Sequence, residues 1–541
     1  MLYVVPFLVA MIITMMVLPL VVKAAARWRF VDAPGERKVH SVPIPRAGGI
    51  AMAIGALVTA LLVVPLGSEE RYFLIAAILV AACGGLDDRL DLDYRVKMGG
   101  QLAAAAIVIF CAHIKIHALT LDDRVALPDY VSIPLTFLFL VGITNAINLA
   151  DGLDGLAGGT AFLILCALAI LANSGGEFGT AALALTFAGA VLGFLRFNTY
   201  PASVFMGDAG SQLLGFAVGV LSLMATQNGT SVISAATPVL LLALPILDTL
   251  SVMAQRLSEG RSPFSADKNH IHHKLLALGF RHHEAVMVIY AVQADLFLLA
   301  FWMRYESDLT IVATVTAFFV AVIALLQAAT RYRWRLRPQI ETVAAGRPEG
   351  PVPRLLDLDR APKWAYSAVA AAVLLYASLI VVETARLSGD IRWLLTALLG
   401  VIVVWLSVLR IRPLSLIEKG TLYVTFAVLV YLDTAIVHER IWSILNWAAV
   451  LTAAVGTLLR LQRDRRFQVT PLDIIVLFVA LVIPSLSGSV PLPAGTALGI
   501  AKLVILFYSI EVLVSRAEIP VVWFRIGAAT ILAGLIMHPL L

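Results

Sequence analysis

The chain has 541 residues, of which 60% are hydrophobic and 14% are charged, and its formal net charge is +5. Soluble domains carry about a quarter charged residues, so this composition excludes an ordinary soluble protein and indicates a membrane protein. The basic residues lie in short polar segments between apolar runs. That placement favours the positive-inside rule as the cause of the net charge, and no nucleic-acid partner is expected.

Apolar runs long enough to cross a membrane recur from Leu2 almost to Leu541. One helical crossing needs roughly 20 apolar residues, so we predict an all-α polytopic membrane protein with about 18 transmembrane helices. The first run has no basic residue before it and is followed by Lys23, Arg27 and Arg29. It is therefore predicted to be an anchor with an external N-terminus rather than a signal peptide.

The distribution of charge along the chain predicts two membrane domains. Residues 1–330 hold about 11 predicted helices, and residues 363–541 hold about 7 more. Residues 331–362 are polar, basic and contain proline, as expected of a cytoplasmic linker. The three cysteines show no metal-ligand or CxxC spacing, so neither a disulfide framework nor a zinc site is predicted.

Five polar segments lie on the predicted cytoplasmic side, and the first two offer possible phosphate partners and a carboxylate pair. The first contains Lys38 and Arg46, which could pair with phosphates or act only as positive-inside anchors. The second contains Asp87 and Asp88. Adjacent carboxylates repel each other unless a cation lies beside them, so this pair predicts a metal site. The alternative is a pair of interfacial charges that ends a membrane span.

The third segment carries amides and carboxylates at intervals of three residues: Asn145, Asn148, Asp151 and Asp154. A continuous helix would place them along one side, whereas Gly152 and Gly155 predict a bend. Either arrangement brings together groups suited to a nucleoside or to the free positions of a metal. A capping and turn sequence between two spans is the alternative interpretation.

The fourth and fifth segments are suited to phosphate binding. Asp208 is flanked by small residues that allow a phosphate to approach the backbone, at the start of a predicted helix near Ser211. Only hard oxygen ligands are offered there, which favours Mg²⁺, or Mn²⁺, over zinc. The fifth segment contains His270, His272 and His273 beside Lys268 and Lys274. It could bind a pyrophosphate or be a solvated loop without a function.

These five segments, in this order, closely resemble the polyprenyl-phosphate N-acetylhexosamine-1-phosphate transferase family, over roughly residues 1–331. The resemblance implies a magnesium-dependent catalytic centre formed by Asp87, Asp88 and Asp208. It also implies that other residues line the nucleotide and metal site, namely Asn148, Asp151, Asp154 and Asn198. The resemblance further implies that Lys38 and the histidine segment His270–His273 engage phosphates. The implied substrates are a UDP-N-acetylhexosamine, with N-acetylglucosamine favoured, and a polyprenyl phosphate.

The expected metal ligands are Asp87, Asp88, Asp208 and Asn148, while Arg46, Lys268 and His270 are expected substrate contacts and His272 and His273 catalytic groups. Asp87 or Asp88 could instead act as a base or a nucleophile. We expect a multi-pass protein of the inner, or plasma, membrane with a cytoplasmic site. A homodimer and downstream glycosyltransferases remain open as partners.

A transporter or lipid flippase is the main rival interpretation, because many spans are natural for that class too. Transporters place their binding groups near the middle of the membrane, whereas here the polar groups cluster at one boundary. Residues 363–541 contain no motif that matches the family, and no activity is assigned to Asp433, Glu439 or Glu511 within them. A role in moving the lipid product and a role in binding partner enzymes both stay open for this region.

Overall fold

The computed structural model describes residues 4–28, 31–32, 44–121, 123–227, 233–262, 269–336, 364–383, 440–463 and 496–514, together with scattered residues between 392 and 537. The chain divides into two compact units, residues 1–341 with 470–475, and residues 342–469 with 476–541. The predicted boundaries at residues 330 and 363 remain predictions.

The first unit is built almost entirely of helices. Its longer helices are α1 (Val4–Trp28), α2 (Gly48–Val63), α3 (Ser68–Leu90), α4 (Tyr94–Ala106, continued by a π-helix over Ile107–Cys111), α5 (Asp129–Leu149), α6 (Leu156–Ser174), α7 (Phe178–Asn198), α8 (Gly207–Thr226), α10 (Ala243–Ser258), α12 (His282–Trp302) and α13 (Asp308–Arg331). Two short helices complete the set, α9 (Thr237–Leu241) and α11 (Ile271–Ala277). The strands form two antiparallel pairs, β1 (Val31–Asp32) with β2 (Ile44–Pro45), and β3 (Ala118–Thr120) with β4 (Arg124–Ala126).

Eight of the described helices are long and apolar enough to cross a membrane, and all eight lie within residues 5–331. The predicted all-α polytopic membrane class is therefore confirmed. The expected totals of about 11 and about 7 spans in the two regions remain predictions.

Helices α6 and α8 form the centre of the first unit. Every residue in the most apolar stretch of each is buried, whereas α13 is mostly exposed. A helix that is apolar on all sides is favoured in such a position, because neighbouring helices cover its whole surface. Around this centre α7 packs on α6, while α3 and α5 pack on α8.

A close approach of α3 to α8 brings together the two ends that carry aspartates. Gly84 in α3 faces the backbone of α8, where an added Cβ would lie 2.5 Å from the carbonyl oxygen of Asp208. Small residues allow such helix contacts within membranes, because the backbones can touch. The last turn of α3 is therefore held against the first turn of α8.

In the second unit α14 (Trp364–Glu383) packs on α15 (Arg440–Arg463) and on α16 (Thr496–Val514). Its core is apolar and includes Val373, Phe426 and Ile510. A charged cluster is buried beside this core: the Lys502 ammonium lies 2.6 Å from Asp433 Oδ2 and 2.8 Å from Asn446 Oδ1. Glu439 lies outside the described residues, as does the side chain of Glu511.

Candidate active site

Three charged side chains from three helices converge at one end of the first unit. Asp87, in the last turn of α3, is 4% exposed. The ammonium of Lys97, near the start of α4, forms an ion pair with Asp87. It also lies 3.5 Å from Oδ2 of Asp208 in the first turn of α8. One cation thus lies between two carboxylates, which removes much of their mutual repulsion.

Asp88 caps helix α8 from outside that helix. Its two carboxylate oxygens accept hydrogen bonds from the backbone N–H groups of Asp208, at 2.8 Å, and Ala209, at 2.9 Å. The first N–H groups of a helix have no partner within the helix, and a carboxylate there also interacts favourably with the helix dipole. Asp88 therefore fixes the start of α8, and with it the position of Asp208.

Amide side chains surround the carboxylates on the protein side. Asn148, at the end of α5, donates from Nδ2 to Asp208 Oδ1 and to Ser211 Oγ, both at 2.7 Å. Behind it, Asn145 Nδ2 donates to Gln101 Oε1 at 2.7 Å. Gln101 Nε2 in turn donates to Gln212 Oε1 at 3.1 Å. This chain of amides links α4, α5 and α8, while Asn148 holds the Asp208 carboxylate in one orientation.

The loop after α5 is braced against the loop after α7. Asp154 Oδ2 accepts a hydrogen bond from Ala202 N at 2.9 Å. Asn198 Oδ1 accepts one from Gly155 N at 2.9 Å, and its Nδ2 donates to Val204 O at 2.9 Å. Both polar atoms of Asn198 are thus used within the protein. Its observed contacts join loops, and a direct contact with a nucleotide remains a prediction.

Asp151 lies in the turn between α5 and α6, close to the other carboxylates. Burial, reinforced by the nearby charges of Asp208, Asp88 and Asp154, raises the pKa of Asp151 to about 7. Arg46 acts in the opposite direction on this group. A cation or a hydrogen-bond donor bound next to Asp151 would therefore strongly favour the charged form of its carboxylate.

The histidine segment is packed against the same turn. An added Cβ at Gly152 would lie 2.4 Å from Nε2 of His272, so only glycine leaves room for this ring. His272 is 3% exposed, and burial, as the largest cause, lowers its pKa to about 4. The ring is therefore neutral at neutral pH and contributes no positive charge to the site. It lies between His270 and His273, with ring centroids 5.7 Å and 4.3 Å away.

Lys38 and Lys268 lie outside the described residues. Two residues that the sequence interpretation did not single out are prominent in the structure, Lys97 and Asp248. Asp248 could have been found as an isolated carboxylate within an apolar run, which is unusual in membrane helices. Lys97 follows the aspartate pair by nine residues, and only its basic charge near a membrane boundary marks it.

The carboxylate oxygens of Asp87 and Asp208 fit a divalent cation that is shared with a substrate. Among the described residues, no three aspartate, glutamate, histidine or cysteine side chains form a group that could hold a metal ion. Asp87 and Asp208 nevertheless share one cation, the Lys97 ammonium. Mg²⁺ is commonly bound by one or two carboxylates together with substrate phosphates. The arrangement fits that mode, and the full ligand set of Asp87, Asp88, Asp208 and Asn148 remains a prediction.

A bundle of membrane helices with acidic, amide and histidine side chains gathered at one end is the arrangement expected of a membrane enzyme. The sequence model for glycosyl transferase family 4 matches residues 71–226. A probable undecaprenyl-phosphate N-acetylglucosaminyl 1-phosphate transferase of Bacillus subtilis is 39% identical, over 53% of this chain and 81% of that protein.

Two further relatives carry related names. A decaprenyl-phosphate N-acetylglucosaminephosphotransferase of Mycolicibacterium smegmatis is 35% identical, over 56% of this chain and 82% of its own. The undecaprenyl-phosphate alpha-N-acetylglucosaminyl 1-phosphate transferase of Escherichia coli K12 is 31% identical, over 55% of this chain and 84% of its own length. The chain belongs to glycosyl transferase family 4, which confirms the resemblance seen in the sequence. The comparisons give the transporter interpretation no support.

Proposed function

We propose that this enzyme transfers N-acetylglucosamine 1-phosphate from UDP-N-acetylglucosamine to a polyprenyl phosphate and releases UMP. The names of three relatives, each matched over most of its length, support the reaction type and both substrate classes. The observation that carries the proposal is the junction of α3, α4 and α8. There Lys97 lies between the carboxylates of Asp87 and Asp208.

The reaction exchanges one phosphorus–oxygen bond for another. An oxygen of the lipid phosphate attacks the phosphorus that carries the sugar, and the bond from that phosphorus to the oxygen it shares with UMP breaks. A phosphate monoester with a second pKa of about 6 is mostly ionised at neutral pH, so the attacking oxygen needs no general base. The main requirement is then to hold two anions in line and to stabilise the charge that develops on the leaving UMP.

In the proposed reaction, different residues of the first unit bind the phosphates and hold the site in position. Lys97 provides a cation beside the reacting phosphates, and Asp88 keeps the start of α8 in position. The positive end of the α8 dipole faces the same region. Asn148 orients Asp208. Neutral His272 can offer a hydrogen bond but no charge, so cationic contacts to the diphosphate are assigned to Lys97 and Arg46, with Lys38 and Lys268 as further candidates.

Glycosyl transferase family 4 enzymes are phospho-sugar transferases that generally depend on a metal. We assign Mg²⁺, with Mn²⁺ as a substitute, to the carboxylates of Asp87 and Asp208, because both offer hard oxygen ligands. When bound, the ion would neutralise charge on the diphosphate and on the departing UMP.

The proposal includes an inner-membrane location with the site on the cytoplasmic side and the N-terminus outside. The ends of α3, α5 and α7, which carry the site residues, are the ends that the positive-inside rule places in the cytoplasm. UDP-sugars are water-borne, whereas polyprenyl phosphate stays in the membrane, and a site at a helix boundary gives access to both. A homodimer and recruitment of downstream glycosyltransferases remain open proposals.

The test is an assay of purified full-length protein in detergent with UDP-N-acetylglucosamine, undecaprenyl phosphate and Mg²⁺. We expect one UMP for each lipid-linked N-acetylglucosamine pyrophosphate formed, and no activity after removal of divalent cations with EDTA. Release of UDP instead of UMP would show transfer of the sugar without its phosphate, which would overturn the proposal. Re-addition of Mg²⁺, Mn²⁺ or Zn²⁺ to the EDTA-treated enzyme separates the three ions.

A further inference from the structure

Asp248 is a buried carboxylate that takes no part in the contacts described so far. It lies in α10, and its side chain is 9% exposed. Oδ2 lies 2.8 Å from Nδ1 of His270, and Oδ1 accepts a hydrogen bond from Ile271 N at 2.6 Å. Both partners belong to the histidine segment, more than 20 residues further along the chain. Asp248 therefore ties that segment to helix α10.

These two contacts fix where helix α11 begins. Its N-cap residue, His270, provides no side-chain cap of its own. The carboxylate of Asp248 accepts the first N–H group of α11 instead, from a different helix. A cap satisfies a backbone donor that would otherwise be left without a partner, and it defines the first turn. The positions of His272 and His273 in that turn follow from it.

The same carboxylate sets the tautomer of His270. An ionised carboxylate only accepts hydrogen bonds, so Nδ1 of His270 must carry the proton that faces Asp248. In a neutral ring with this tautomer, Nε2 is the acceptor. Second-sphere carboxylates commonly hold functional histidines in one tautomer and orientation in this way.

The held segment stands against the acidic turn of the candidate active site. His272 stacks on His270 and fits against Gly152, next to Asp151. A small cavity of about 30 Å³ lies beside the contact and is lined in part by Asp248, Thr160 and His272. The histidines are thus placed through contacts that begin at Asp248 and end at the turn between α5 and α6.

We propose that Asp248 is a positioning residue for the transfer reaction, holding His270 in the Nδ1–H tautomer and α11 in place so that the histidines face the acidic turn. This inference rests on the proposed transferase function and deepens it. A purely structural role, in which Asp248 only stabilises the packing of α10, is the alternative that an experiment must separate.

The substitution Asp248→Asn provides that separation. Asparagine has the same shape and can still accept from Ile271 N, but its NH₂ group would face Nδ1 of His270 and favour the opposite tautomer. In serine proteases an aspartate-to-asparagine change of this kind leaves the geometry intact and lowers kcat by about 10⁴ through the wrong tautomer. Asp248 is proposed to orient His270 and not to support a proton transfer, so we expect a smaller fall in kcat, of about 30-fold, with KM for UDP-N-acetylglucosamine changed less than threefold.

Three measurements on full-length protein accompany this variant. Nitrogen-15 NMR of histidine-labelled protein should show the His270 signal change from the Nδ1–H to the Nε2–H tautomer in Asp248→Asn. The double variant Asp248→Asn/His270→Ala should be no slower than the slower of the two single variants, because both act through one contact. The matched control is Asp308→Asn, which alters another buried carboxylate that accepts backbone N–H groups at the opposite end of the helices; its kcat should stay within twofold of wild type.

The outcomes separate the two proposals. If the wild-type protein releases no UMP, the proposed function fails and this inference fails with it. If the wild type is active and Asp248→Asn keeps its kcat, only the positioning role is overturned. It is also overturned if the effects of the two substitutions multiply in the double variant, or if Asp248→Asn and Asp308→Asn lower kcat equally in proportion to their loss of thermal stability.

Discussion

Each unit of the chain holds a lysine next to an aspartate, and the two clusters differ in how completely they are enclosed. In the first unit the side chains of Lys97 and Asp208 are 29% and 32% exposed. In the second the side chains of Lys502 and Asp433 are 6% and 2% exposed. The first cluster, Lys97 with Asp87 and Asp208, has one cation for two carboxylates, and its partly exposed side chains make it the open cluster. The second, Lys502 with Asp433 and Asn446, is buried and is called the closed cluster.

The contacts of the second cluster lie within the protein. Asn446 donates to Asp433 Oδ1 at 2.7 Å and accepts from Lys502, and the ammonium also lies 4.8 Å from the ring centre of Trp447. An ionisable pair inside membrane helices is costly unless its members satisfy each other. We infer that the same residue types suit the proposed catalysis where their charges remain partly exposed, and helix association where they satisfy each other.

The largest expected effect is loss of activity on removing one charge from the open cluster. Asp208→Asn keeps an oxygen for the hydrogen bond from Asn148 but removes the charge beside Lys97. We expect UMP release at saturating substrates and Mg²⁺ to fall by about 10³, while thermal unfolding in detergent changes little. The control is Asp91→Asn, because Asp91 is exposed and its left-handed φ of 51° is one that asparagine tolerates. Near-normal turnover of Asp208→Asn would show that its charge is not needed.

In the closed cluster the expected effect is on stability instead. Lys502→Met leaves the Asp433 carboxylate buried without its ammonium, so the free energy of unfolding should fall by about 3 kcal/mol. Addition of Asp433→Asn to the same protein should restore part of the loss. Lys115→Met is the control, since its ion pair with Asp129 lies on the surface and should contribute less than about 1 kcal/mol.

The outcome would contradict the comparison if Lys502→Met left stability unchanged. A fall in the turnover per folded molecule of Lys502→Met as large as that of Asp208→Asn would also contradict it, because the second cluster would then take part in the reaction.

A smaller effect on the free energy of unfolding is expected when the pH is lowered, because His272 is harder to protonate in the folded protein than in the unfolded chain. The pKa of this histidine is about 4 in the folded protein and about 6.5 in the unfolded chain. The unfolded chain therefore binds a proton first as pH falls, so the stabilisation is present above pH 6.5 and is lost towards pH 4. Between pH 7 and pH 5 the free energy of unfolding should decrease by about 2 kcal/mol from this group.

The contribution is measured as the difference between wild type and His272→Gln across that pH range. The variant should show a flatter dependence of unfolding free energy on pH. His113→Asn alters an exposed histidine at a positive φ and should leave the slope as it is in the wild type. Equal slopes for wild type and His272→Gln would show that His272 is not held neutral by burial.

The sequence predicted the fold class because each membrane helix is marked by its own apolar run, which needs no knowledge of neighbours. Asp87 and Asp208 were predicted as site residues because their local patterns are unusual, and the structure brings both carboxylates to Lys97. Lys97 was missed because a single lysine at a membrane boundary looks the same whether it is an anchor or part of a site. Asp248 was not singled out because its contacts with His270 and Ile271 arise only on folding.

Asn198 illustrates a different limit of the sequence. An amide beside a predicted phosphate loop is expected to contact a nucleotide, and the same residue type at the same place can brace two loops. Only the positions of Gly155 and Val204 show that both polar atoms of Asn198 are already used. In the second unit, Asp433 was noticed, but Lys502 within its apolar run was not, and their pairing could not be inferred from spacing.

The smallest effect is expected when the second unit is removed altogether. All the site contacts described above lie between Arg46 and His273, within the first unit, where the family model matches residues 71–226. The relatives cover about half of this chain. A chain ending after residue 337 retains Arg331, Arg333 and Arg335, which should keep α13 in its orientation. We expect its UMP release with added lipid acceptor to stay within about threefold of the full-length protein, since compact units of this size can fold alone. The full-length Lys502→Met variant is the matched control, because it weakens the second unit without removing it. A truncated protein that is monodisperse and folded, yet inactive with both substrates and Mg²⁺, would show that the open cluster depends on residues beyond the boundary and that the two regions form one catalytic unit.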